Sequence, residues 1–101
     1  MNTKLEEIDG KYVAMLEGEM DTAAAIGAQV VLKQLYKNDG KEVIIDCSRL
    51  EYISSTGLGI MVRILKAARA AGSKVVMRGA NDDIKKIFKM TGFLTAFEFV
   101  E

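Results

Sequence analysis

Three consecutive hydroxyl side chains, Ser54, Ser55 and Thr56, stand between Ile53 and the run Gly57-Leu58-Gly59. At the start of a helix such residues can do chemistry of two kinds. A side-chain oxygen can cap the helix by accepting from a free first-turn amide. A hydroxyl can also accept a phosphate, adding about −1.5 to −2 charges that the free N–H groups of a helix N-terminus stabilise. Gly57 and Gly59 leave the backbone unshielded, which lets a partner loop approach closely. Tight helix–sheet packing is the other use of glycine at these positions.

Other chemistries are excluded by what is missing. The chain has no histidine, so Ser-His-Asp and Cys-His hydrolysis lack their base and the usual zinc sites lack their ligands. No Ser-x-x-Lys occurs at 53–59, and no G-x-x-x-x-G-K phosphate loop is present. Gly57-Leu58-Gly59 is half of a dinucleotide fingerprint, with Val62 where the third glycine belongs. Cys47, the single cysteine, reads as a small buried side chain at the end of an apolar strand. No metal, no cofactor and no enzyme activity is expected.

Fourteen basic and fourteen acidic residues cancel, which disfavours a broad attraction to nucleic acid or acidic lipid. Residues 1–101 suffice for one domain, and a hydrophobic content of 50% supports one packed core. The first residues lack the apolar run of a signal peptide, and no apolar stretch approaches the ~18–20 residues of a membrane span. The expectation is a soluble, cytoplasmic protein without membrane insertion.

The elements that must position the hydroxyls follow from periodicity. Leu5 to Ile8 and Tyr12 to Glu17 flank Asp9-Gly10, a hairpin signal because both turn residues tolerate positive φ. Asp21 is placed to cap a helix whose buried face is Ala24, Ala28, Val31 and Leu35, stopped at Asn38-Asp39-Gly40. A strand over Glu42 to Asp46 contains Val43-Ile44-Ile45, the unbroken run of a strand covered on both faces. A loop then leads to the helix after Ser54, which runs to about Ala71 and stops at Gly72. Leu58, Met61, Leu65 and Ala68 form its sheet-facing stripe. A second stripe, Ile60, Ile64, Ala67 and Ala71, suits either a neighbouring helix or a partner, while Arg63, Lys66 and Arg69 are solvated. A strand over Lys74 to Arg78, a short helix capped by Asn81 with Ile84, Ile87 and Phe88 inward, and a last strand over Thr95 to Val100 complete the chain. The order β-β-α-β-α-β-α-β is a single α/β domain with a mixed sheet, an N-terminal hairpin plus parallel strands, and helices packed on it.

Several segments in this order resemble one family, the STAS-domain anti-sigma-factor antagonists. Gly18-Glu19-Met20-Asp21 is similar to the Gly-acid-aliphatic-Asp after the family's second strand. Val43 to Ile53 resembles its strand-and-loop lead-in, and Ser54-Ser55-Thr56-Gly57-Leu58-Gly59 resembles its D-S-S-G-L-G signature. Phe88-Lys89-Met90-Thr91-Gly92-Phe93 is similar to a late aromatic–glycine motif.

The resemblance implies a regulatory binding protein, monomeric when free. Its partners would be an anti-sigma factor of the ATPase type that is also a serine kinase, and a serine phosphatase. The unphosphorylated form would bind the anti-sigma factor and release a sigma factor for transcription. The phosphoacceptor maps onto Ser55, with Thr56 as the alternative. The partner surface maps onto Asp21, Ser54, Ser55, Thr56, Gly57, Leu58, Gly59, Ile60 and Arg63. Ser54 departs from the pattern, standing where the family has aspartate; Glu19, Asp21 and Glu51 are the candidate acids nearby. That departure keeps a second reading open, a STAS module that binds constitutively as a scaffold or as the cytoplasmic subunit of a lipid-transport complex.

Overall fold

Asp9 and Gly10 both adopt positive φ, +53° and +77°. They turn the first two strands, β1 (Asn2–Ile8) and β2 (Lys11–Met20), into an antiparallel hairpin. The computed structural model describes residues 1–101. After the hairpin, helices and strands alternate. Helix α1 (Thr22–Leu32) tightens into a 3-10 turn (Lys33–Lys37), followed by β3 (Val43–Ile53), α2 (Ser55–Ala70), β4 (Val75–Arg78), α3 (Asp82–Met90) and β5 (Glu98–Val100). The strands lie in the order β1-β2-β3-β4-β5, and every pairing after the hairpin is parallel. This is the mixed α/β sheet expected from the sequence.

A strand order that advances in one direction through right-handed crossovers places every helix on the same face. The core reflects this. Ala14 and Leu16 from β2, Val43, Ile45 and Cys47 from β3, and Val75 and Met77 from β4 point one way and join the buried residues of all three helices. Phe88 of α3 meets Phe97 and Phe99 edge-on, each at 5.4 Å between ring centroids. On the helix-free face Val13, Ile44 and Val76 sit in one register row, and Asp46 and Arg78 in the next. Covering of Val43-Ile44-Ile45 on both faces is therefore corrected: Ile44 is only half-buried, on the side without helices.

Three boundaries differ from the periodicity reading. The buried face of α1 is Ala25, Ala28 and Leu32, continued by Leu35. Ala24 and Val31 are half-buried at its shoulder, one position before Ala25 and Leu32 on the helical wheel, so the face turned to the core is centred slightly off the one expected. β3 runs on through Cys47 to Ile53, so no loop precedes the hydroxyls. Register shifts against β2 between Met15 and Glu17 and between Gly18 and Glu19 break the alternation there. β5 begins only at Glu98, since Ala96 N–H donates to the Phe93 carbonyl (3.1 Å) and closes a turn. Along α2 the first apolar stripe is buried throughout and the second at its N-terminal end. Leu58, Met61, Leu65 and Ala68 are buried, and so are Ile60 and Ile64, with α2 packed on α1 and the 3-10 turn as well as on the sheet.

Candidate functional site

Parallel strands end together, and here their ends feed helix N-termini. Met20 of β2 and Ile53 of β3 are partners in register. The next residues, Asp21 and Ser54, cap α1 and α2. Ala24 N–H donates to Asp21 Oδ1 (2.8 Å), and Gly57 N–H donates to Ser54 Oγ (3.2 Å). Ser54 N–H in turn donates to the Met20 carbonyl (2.8 Å), which ties the start of α2 to the end of β2. Beyond β4, Asn81 caps α3 through Ile84 N–H (2.9 Å). Three helices thus direct their positive ends to one edge of the sheet.

The three ends are compensated unequally. α1 has the Asp21 carboxylate at its cap, and α3 has Asp82 and Asp83 in its first turn. α2 has a neutral serine cap and no acid in its first turn. Its Ser55 and Thr56 amides have no intrahelical carbonyl to bond, so this is the end with most attraction left for an anion. The Ser55 side chain is exposed beside those amides. Among the hydrogen bonds of the structure none involves its hydroxyl. The Thr56 side chain is half-buried.

The residues expected to meet a partner divide into two groups. Asp21, Ser55, Gly59 and Arg63 are exposed. Ser54, Gly57, Leu58 and Ile60 are not: Ser54 is 6% exposed, Leu58 and Ile60 4% each. Ser54 turns inward to cap, and Leu58 and Ile60 belong to the core, so these residues lie beneath the exposed ones. Gly57 is buried for a packing reason. A methyl group there would lie 2.8 Å from Ile53 Cγ1 and 3.0 Å from Met20 Sδ. Glu19 and Glu51, the other acids named for this end, are exposed on β2 and β3.

Cys47 is buried, and burial followed by the nearby Asp46 charge pushes its thiol up to about 12. It is a protonated core side chain at neutral pH, not a nucleophile. No group of three His, Cys, Asp or Glu side chains could hold a metal ion, and no helix is long and apolar enough to cross a membrane. Sequence reasoning missed one cluster on the helix-free face. Asp46 accepts from Ser48 Oγ (2.6 Å), Ser48 N–H (2.9 Å) and an Arg78 guanidinium nitrogen (2.9 Å). Burial works to raise the Asp46 pKa, but these bonds together hold it below its ordinary value of 3.8.

The STAS domain model matches residues 2–101. BtrV of Bordetella bronchiseptica is 29% identical over 97 residues, covering 96% of this chain and 84% of that protein. The anti-sigma-B factor antagonist of Staphylococcus aureus is 28% identical over 94 residues, 91% of this chain and 87% of its own. Among solved structures, the anti-sigma factor antagonist SpoIIAA in its unphosphorylated form superposes with a TM-score of 0.78 at 17% identity, over 99% of this chain and 88% of the other. SpoIIAA of Bacillus in its phosphorylated form superposes at 0.75 and 18% identity, over 99% and 92%.

Proposed function

The chain belongs to the STAS domain family, and from that premise we propose that it is an anti-sigma-factor antagonist switched by phosphorylation of Ser55. The observation that carries the reading is the setting of Ser55. It is exposed and free of hydrogen bonds, and it opens the one helix at this edge whose N-terminus has no carboxylate in its cap or first turn. The naming of relatives at 28% identity as antagonists supports the same class.

The partner is an anti-sigma factor of the ATPase type that also acts as a serine kinase, and a serine phosphatase restores the binding form. Asp21, Ser55, Thr56, Gly59 and Arg63 form the contact surface, with Ser54, Gly57, Leu58 and Ile60 setting its shape from beneath. A phosphate on Ser55 is stabilised by the first-turn amides of α2 without refolding. The same dianion, carried into a desolvated interface, opposes binding by repulsion and desolvation. The protein is not an enzyme, acts in the cytoplasm, is monomeric when free and does not bind nucleic acid.

Incubation with the cognate kinase and ATP, followed by mass mapping, tests the switch. Phosphate on Ser55, or on Thr56, is the expected result, and phosphate on neither would sink it. Ser54, at the cap in place of a carboxylate, favours one other reading, constitutive binding as a scaffold or lipid-transport subunit. Co-purification with an ATP-binding cassette subunit in place of an ATPase-type anti-sigma factor would select it.

A further inference from the structure

The net charge of zero hides an uneven distribution. No Asp or Glu occurs from Thr22 to Asn38 or from Tyr52 to Asn81, the two stretches that build α1, the 3-10 turn and α2. Those elements carry Lys33, Lys37, Arg63, Lys66 and Arg69, all exposed. None of the five enters an ion pair; the pairs of the structure use Lys11, Lys41, Arg49, Lys74 and Arg78 instead. Arg69 is turned away to donate to the Ala96 carbonyl (2.9 Å); the other four leave the outer surface of this helix pair cationic and without carboxylate partners.

Apolar surface lies in the same place. Ile26 is 60% exposed and Val30 66%; four residues apart, they stand one above the other on α1. With Gln29, Lys33, Tyr36 and Arg63 they line an open groove of about 340 Å³. The groove wall is braced. The Arg63 guanidinium lies over the Tyr36 ring at 4.2 Å from its centroid, and Gln29 Nε2 donates to the Tyr36 hydroxyl (3.3 Å).

We propose that this groove between α1 and α2 is a docking surface for an acidic amphipathic helix of a partner protein. Apolar residues of that helix at i, i+3 or i+4, and i+7 would cover Ile26 and Val30, as in helix-in-groove recognition. Its flanking carboxylates would meet Lys33 and Arg63, neither of which has a carboxylate partner within the chain. A lipid surface fits less well. Interfacial binding needs a broad apolar face laid into the headgroups, whereas here two aliphatic side chains sit in a concave groove between cations. The groove shares Arg63 with the contact surface proposed above, but the proposal does not require the Ser55 switch.

The test is titration of the full ¹⁵N-labelled chain with a synthetic amphipathic helix bearing leucine anchors and glutamate flanks. A control peptide carries lysine in place of glutamate. Saturable, salt-sensitive shifts at Ile26, Val30, Lys33 and Arg63 are expected from the acidic peptide, with the lysine peptide at least about tenfold weaker. Arg63→Glu and Val30→Asp, both exposed changes whose folding the same spectra check, should each weaken the acidic peptide. Lys86→Gln, an exposed change on α3 outside both surfaces, should bind it like the unaltered chain. Because the titration involves no kinase, failure here is separate from failure of the switch. Equal affinity for the two peptides, shifts centred elsewhere, or no saturable binding would overturn the proposal. Binding of phosphatidylserine vesicles lost in Arg63→Glu, without peptide binding, would overturn it in favour of a membrane surface.

Discussion

Ser54 and Met20 are joined by a backbone hydrogen bond of 2.8 Å, so the cap of α2 is anchored to the end of the neighbouring strand. Side chain and main chain of Ser54 therefore hold the same corner. Ser54→Ala removes the oxygen that accepts from Gly57 N–H and should cost about 0.5–2 kcal/mol, the usual range for a lost cap. Ser55→Ala, at an exposed hydroxyl without a partner, should stay within about 0.5 kcal/mol. Urea unfolding of the two variants checks the contrast, and similar losses for both would contradict the assigned roles.

The two glycines of the motif should respond with opposite signs. A methyl group on Gly57 meets Ile53 Cγ1 at 2.8 Å, where the buried neighbour has little room to give. Overpacking typically costs ~1–3 kcal/mol, more than the gain of up to about 1 kcal/mol in helix propensity. Gly57→Ala should therefore destabilise. Gly59 has nothing within 4 Å of the added methyl, so Gly59→Ala keeps the propensity gain and should raise stability by about 0.5–1 kcal/mol. Thermal unfolding of the pair decides it.

Most of this corner was legible because each device is local. Asp9-Gly10, the caps at Asp21, Ser54 and Asn81, and the inward stripe of α2 are written in neighbouring residues. The extension of β3 to Ile53 was not, because Cys47-Ser48-Arg49-Leu50-Glu51 loses its alternation at the register shifts against β2. The inward positions of Ile60 and Ile64 depend on α1 lying alongside, which a single helical wheel cannot supply. Nor could the Asp46–Arg78 contact be read from sequence, since it joins residues 32 apart.

Asp46 gives a pH dependence of known sign. Its folded pKa lies below its ordinary value of 3.8, so its carboxylate contributes stability that is complete above the unfolded pKa. That contribution is lost as pH falls through the depressed folded value. Burial opposes ionisation, and the Ser48 hydroxyl is the first of the bonds that outweigh it. Ser48→Ala should therefore move the Asp46 midpoint upward in a carboxyl ¹³C NMR titration. An unchanged midpoint would mean that Arg78 and the Ser48 amide suffice.

The buried Cys47 supplies a probe of global opening. With its thiol at about 12 and its side chain in the core, it should resist a thiol reagent at pH 7–8 in the folded protein. It should label at the rate of an ordinary thiol in denaturant. Rapid labelling of the folded chain would show that β3 opens locally.

Replacing Ser55 by glutamate separates loss of binding from loss of fold. Ser55 is the first residue of α2, whose cap and first turn contain no acid. A carboxylate there meets the positive end of the helix dipole and should stabilise the fold by about 0.3–1 kcal/mol. In a partner interface the same charge is desolvated and repelled, so affinity for the anti-sigma factor should fall. Ser55→Glu is thus expected to melt slightly higher while binding more weakly, and Ser55→Ala to bind like the unaltered chain. Calorimetric titration beside thermal melts reads both. A variant that lost stability and affinity together would place Ser55 in the packing of α2 and remove it from the switch.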